Sequence, residues 1–94
     1  MTFTLPLSRE WKKLGWKVKI RKDERLEPPH VTIVRGVWAW RFCLRTSRFL
    51  DGKPNPRDVP APLLDEVEAC RPLLIARWDA LYPENPVRSG SEET

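Results

Sequence analysis

Trp16-Lys17-Val18-Lys19-Ile20-Arg21 alternates apolar and cationic side chains without a break. Successive side chains of a strand point to opposite faces. Trp16, Val18 and Ile20 therefore share one face, and Lys17, Lys19 and Arg21 share the other. The stretch from Val37 to Arg45 repeats the pattern. Trp38, Trp40, Phe42 and Leu44 line one side, with Val37, Ala39, Arg41, Cys43 and Arg45 on the other. Between these two, His30 to Arg35 is β-branched and extended, and Arg35-Gly36 marks a hairpin turn. The charged segment from Lys22 to Pro29 closes on Pro28-Pro29, a pair that a central strand excludes. These signals predict three strands in an antiparallel meander.

The flanks read as helices. Ser8-Arg9-Glu10-Trp11-Lys12-Lys13-Leu14-Gly15 offers an N-cap at Ser8 and a stop at Gly15, with Trp11 and Leu14 one turn apart. After the strands, residues 46–62 hold prolines at 54, 56, 60 and 62, which implies a long, stiff surface connection. From Pro62 the period becomes helical: Leu63, Leu64, Val67 and Cys70 recur on one side, and Asp65, Glu66 and Glu68 lie opposite. Pro72 either opens a second helix or kinks a single one. Leu74, Trp78 and Leu81 continue the period to Tyr82-Pro83, and residues 84–94 read as a flexible tail after a single domain over 1–83.

The expected fold class is α+β: a three-stranded antiparallel meander packed against one or two C-terminal helices, with a short N-terminal helix. Its core would join Trp16, Val18, Ile20, Trp38, Trp40, Phe42 and Leu44 to Leu64, Val67, Leu74, Trp78 and Leu81. Ninety-four residues suffice for one such domain, and five tryptophans argue against wholesale disorder. No apolar run approaches the roughly 18 residues of a membrane span. Residues 1–9 lack the pattern of a secretory signal, so a soluble, cytoplasmic protein is expected. Cys43 and Cys70 stand apart, without metal-ligand or redox spacing, and read as reduced thiols.

Motifs for nucleotide-phosphate loops, dinucleotide binding, zinc proteases and serine hydrolases are all absent. The single histidine excludes a His-rich metal site, and no cofactor is implied. Charge is more informative. Residues 1–48 carry twelve Lys and Arg against four acids, net +8, and residues 49–94 carry five against nine, net −4. Such polarity suits either a polyanion-binding face or an internal match between basic sheet and acidic helices. With the aromatic stripe turned to the helices, Lys17, Lys19, Arg21, Arg41 and Arg45 would project from the uncovered face, either as the polar cover that a solvated sheet face needs or as contacts to nucleic-acid phosphates, RNA being the expected partner. His30 opens the middle strand beside them. An unperturbed imidazole titrates near neutrality, which makes His30 the candidate catalytic acid or base. Its structural alternative is a ring that bonds a loop carbonyl and fixes the start of the strand. The competing class is a non-catalytic interaction module that binds a second copy or a partner protein through helices or aromatic surface.

Glu27-Pro28-Pro29-His30-Val31-Thr32-Ile33, with Trp40-Arg41-Phe42 downstream, resembles a family of small uncharacterised bacterial proteins marked by Pro-Pro-His-Val-His-Val at a strand start. The resemblance covers roughly residues 16–50. Members of that family are often encoded in pairs suspected of being toxin–antitoxin modules, so the resemblance implies a toxin-like nucleic-acid role and a cognate protein partner. Thr32 stands where the second histidine of the motif would be, so only His30 carries over.

Overall fold

The protein is described from a computed structural model that covers residues 3–22 and 27–87. Among these residues the sheet has four antiparallel strands in sequential order: β1 (Phe3–Thr4), β2 (Trp16–Ile20), β3 (His30–Arg35) and β4 (Trp38–Cys43). The meander is therefore one strand larger than expected. The extra strand is two residues long, too short to show a period, and pairs Phe3 with Ile20 and Thr4 with Lys19. Helix α1 (Arg9–Lys13) fills the β1–β2 connection and stops where Gly15 adopts φ +90°, a left-handed angle that glycine takes without strain. Gly36 does the same at the hairpin tip. Its φ of 61° suits the two-residue Gly36-Val37 loop that closes Arg35 onto Trp38.

Register sorts the side chains. Val18 faces Ile33, Ile33 faces Trp40, and Val31 faces Phe42, so the apolar stripes of all three long strands share one aromatic face. The opposite, basic face carries the rows Lys19–Thr32–Arg41 and His30–Cys43. Phe49 then folds back beside β4: Cys43 N–H donates to the Arg48 carbonyl (2.7 Å) and Leu50 N–H to the Arg41 carbonyl (2.9 Å).

Two C-terminal helices follow a single 3-10 turn at Pro56–Asp58: α2 (Ala61–Ala69) and α3 (Arg71–Leu81). Cys70 breaks the run at φ −97° and ψ 10°, and Pro72 sits in the first turn of α3, where its missing N–H costs no hydrogen bond. Of the two possibilities at Pro72, the structure has the second helix. Leu63, Val67, Leu74 and Trp78 are buried in the same core as Trp16, Val18, Ile20, Trp40, Phe42 and Leu44. Leu64 and Leu81, expected in the core, are only partly buried at its margin.

Trp38 departs from expectation most: it is 58% exposed. Alternation places it on the aromatic face correctly, but the covering layer ends before reaching it. Arg71 ties the α2–α3 junction to the Leu44 carbonyl, and the Tyr82 hydroxyl donates to the Arg21 carbonyl, so α3 lies at the end of the sheet away from the hairpin tip. Toward the tip, Trp16 in the same cross-strand row as Trp38 is still buried and Trp40 Nε1–H donates to the Asn55 carbonyl (3.0 Å), but the cover stops short of Trp38 on the outer strand.

The C-terminal boundary also moves. Trp78 Nε1–H donates to the Asn85 carbonyl (2.7 Å), Val87 N–H donates to Asp79 (2.8 Å), and Val87 is buried. The packed chain thus runs to Val87, and residues 88–94 of the expected tail lie outside the described residues. No helix among the described residues is long and apolar enough to cross a membrane.

Trp40→Ala should cost about 3–5 kcal/mol, as for other buried aromatic truncations. Trp38→Ala should cost about 0.5 kcal/mol or less, as a surface substitution does. Urea melts of both variants check the pair. Equal losses would contradict the exposure of Trp38.

Candidate functional site

The five cations assigned to phosphate contact divide into two groups. Lys17 and Arg21 are exposed and Lys19 is half-buried, all on the basic side of β2. Arg41, half-buried, and Arg45, exposed, both hold partners within the protein. Arg41 Nε–H and Nη2–H donate to the two carboxylate oxygens of Asp51 (2.8 and 2.6 Å), while Nη1–H donates to Glu27 (2.6 Å). Its charge is held chiefly by the Asp51 hydrogen bond, then by Glu27, and this raises an already high guanidinium pKa. Arg45 grips the C-terminal segment through the carbonyls of Val87 and Pro86 (2.8 Å each) and the Asn85 side chain (3.2 Å). Both partner sets lie outside the strand pattern, which is why alternation assigned these arginines to solvent.

His30 lies at the β3 start, as expected, and is fully buried. Its Nδ1 is 2.8 Å from the Pro28 carbonyl, its Nε2 is 3.8 Å from Glu27 Oε1, and its ring packs 5.6 Å from Trp78. This is the geometry of the structural alternative: a ring that bonds a loop carbonyl and fixes the start of a strand. Thr32, one pleat along on the same face, is 2% exposed, and its Oγ1 has no hydrogen-bond partner among the described residues. The basic face is therefore bare along β2 and closed over His30 and Thr32. No group of three or more His, Cys, Asp or Glu side chains is placed to hold a metal among the described residues, and both cysteines are free thiols.

Among the described residues, concave regions adjoin the sheet at both α1 and the hairpin tip. A recess of about 250 Å³ is lined by Leu5, Leu7 and Trp16, with Lys12 and Lys17 beside them, and so extends the β2 cations toward α1. A larger cleft, about 550 Å³, opens at the hairpin tip. Trp16, Trp38 and Trp40 line it together with Arg35, Asn55 and Asp58. Sequence reasoning missed this site because it counted all three tryptophans as core. The one available signal was Trp38's place next to the turn.

The acidic half of the chain also serves the fold. Glu66 of α2 accepts from the backbone N–H and hydroxyl of Ser8 (2.7 Å each) and from Trp11 Nε1–H (3.1 Å), fastening α1 to α2. The Ser8 hydroxyl in particular holds the Glu66 carboxyl below the usual range, and Arg41 does the same for Asp51.

Two measurements follow. Thr32→Val keeps the shape and removes the unpartnered hydroxyl, so it should stabilise the protein by about 1 kcal/mol; a destabilised variant would show that the hydroxyl is satisfied. The depressed Asp51 and Glu66 carboxyls mean that the unfolded chain takes up protons first. Their contribution is whole above the ordinary carboxylate range and is lost as pH falls through the lowered values. Urea midpoints should drop below about pH 4, and Asp51→Asn with Glu66→Gln should flatten that slope. An unchanged slope would assign the acid sensitivity to other groups.

Compared with known proteins, the chain matches no family model, no curated protein and no solved structure.

Proposed function

We propose that the protein binds RNA through the basic side of β2, without a chemical step of its own. The observation that carries this reading is the row Lys17, Lys19 and Arg21. Arg41 and Arg45 are committed to partners within the protein, whereas Lys17 and Lys19 of β2 and Arg21 just after it lie on one face, Lys17 and Arg21 exposed and Lys19 half-buried. They recur every second residue, about 6.6 Å apart along the strand, a spacing that suits a run of phosphates. Lys12, lining the same recess as Lys17, lengthens the row toward α1. In this reading His30 organises the Glu27–His30 turn and does not touch the RNA, consistent with its complete burial. The motif resemblance supports a toxin–antitoxin-type setting with a cognate protein partner. A cytoplasmic location suits both RNA and the free thiols Cys43 and Cys70.

Three phosphate contacts on a single strand give a log affinity–log salt slope of about −2. Lys17→Glu with Lys19→Glu should lower RNA affinity at least 10-fold at low salt and flatten the slope, while leaving the melting curve near the parent's. Arg48→Glu with Arg77→Glu, equal in charge change but placed on the loop and on α3, should have a smaller effect. Equal losses from both pairs would reduce the interaction to bulk charge attraction.

A further inference from the structure

The geometry points to the hairpin-tip cleft as a stacking site for one base of single-stranded RNA, specifically a base with an exocyclic amino group. This inference builds on the RNA-binding reading and adds a base contact to it. Trp38 offers a large indole surface to solvent, 58% exposed beside the exposed Arg35 on the aromatic face. Trp16 and Trp40 pack with ring centroids 5.6 Å apart, and Trp40 is anchored to the Asn55 carbonyl. Arg35 is fixed by donating its Nε–H to the Leu14 carbonyl (3.0 Å), with its guanidinium carbon 5.4 Å from the Trp16 ring centroid. An indole and a guanidinium held in one cleft are the two side-chain types that best stack a planar base.

Charge selects the occupant. Arg35 lines the cleft, and the exposed Lys53 and Arg57 are chain neighbours of the lining residues Pro54 and Asp58, so cations flank the cleft in sequence. That arrangement suits a base flanked by phosphates better than an uncharged peptide. Asp58 is the one acid in the lining. A carboxylate only accepts hydrogen bonds, so it favours a base with an exocyclic amino group, which offers two N–H donors, over uracil, which offers only its ring N3–H between two carbonyls. Trp16 and Lys17 are consecutive on β2 and point to opposite faces, so the near end of the phosphate row lies across the sheet from the cleft, one residue away along the strand.

The test compares short oligoadenylate, oligouridylate and an abasic ribose-phosphate chain of equal length, by fluorescence anisotropy at low salt. Oligoadenylate should bind about 10-fold tighter than the abasic chain. Trp38→Ala should abolish that difference while leaving abasic binding intact, and Trp38→Phe should retain most of it. Asp58→Asn should remove the preference for adenylate over uridylate. If Trp38→Ala binds oligoadenylate as the parent does, the stacking site is refuted and the phosphate row stands alone. If the abasic chain also fails to bind the parent, the RNA-binding reading falls with it. Competition by a proline-rich peptide at Trp38, with no effect of oligoadenylate on Trp38 fluorescence, would reassign the cleft to a protein partner.

Discussion

One guanidinium draws three separate segments together. Arg41, in the middle of β4, holds Asp51 by two parallel hydrogen bonds and Glu27 by a third. Asp51 belongs to the proline-rich return from β4, and Glu27 to the turn that leads into β3. Fixing both ends of this arrangement closes the basic face over His30 and Thr32, and it positions the Phe49 segment against β4. The planar fork of arginine matches a carboxylate in a way that a lysine ammonium cannot, so Lys at this position would keep the charge and lose the geometry. The same residue type does a parallel task at Arg45, where carbonyls of 86 and 87 replace carboxylates, and at Arg71, which joins Ser47 and Glu68 across the start of α3.

The strands β2 and β4 were legible because alternation is a local property, complete within six residues. Which face of each would be apolar followed from it, and the register agrees. What alternation does not contain is the reach of the layer packed on that face. Trp38 and Trp40 are equivalent by period, and only the position of Asn55 and the end of the helical layer separates the exposed ring from the buried one. Likewise Lys19 and Arg41 are cross-strand equivalents on the basic side, yet Arg41 meets acids from two distant segments. Those acids were visible in the composition, but nothing local linked them to it. β1 escaped because two residues carry no period, and residues 84–87 escaped because backbone carbonyls, which have no sequence signature, anchor them.

The charge imbalance between the two halves of the chain thus has a mixed origin. Part of it is internal: Arg41 spends its charge on Asp51, an acid of the second half. Glu66 meets neutral donors on α1, so the acidic side of α2 works as a clasp and is not a counterpart to the basic sheet. The remainder, along β2 and around the hairpin tip, is left facing solvent. A sequence count of cations overstates a binding surface whenever arginines also serve as cross-links, and this chain uses several that way.

The folded-back Phe49 segment has a further consequence. A sheet grows, in aggregation or by accepting a partner's strand, through unpaired N–H and carbonyl groups along its outermost strand. Here residues 48–50 occupy that side of β4, and the opposite side ends in a strand of two residues. Each border is thus covered over part of its length, beside Arg41–Cys43 on one side and beside Lys19 and Ile20 on the other. A small, tryptophan-rich domain thereby has part of its most natural route to self-assembly blocked at each border.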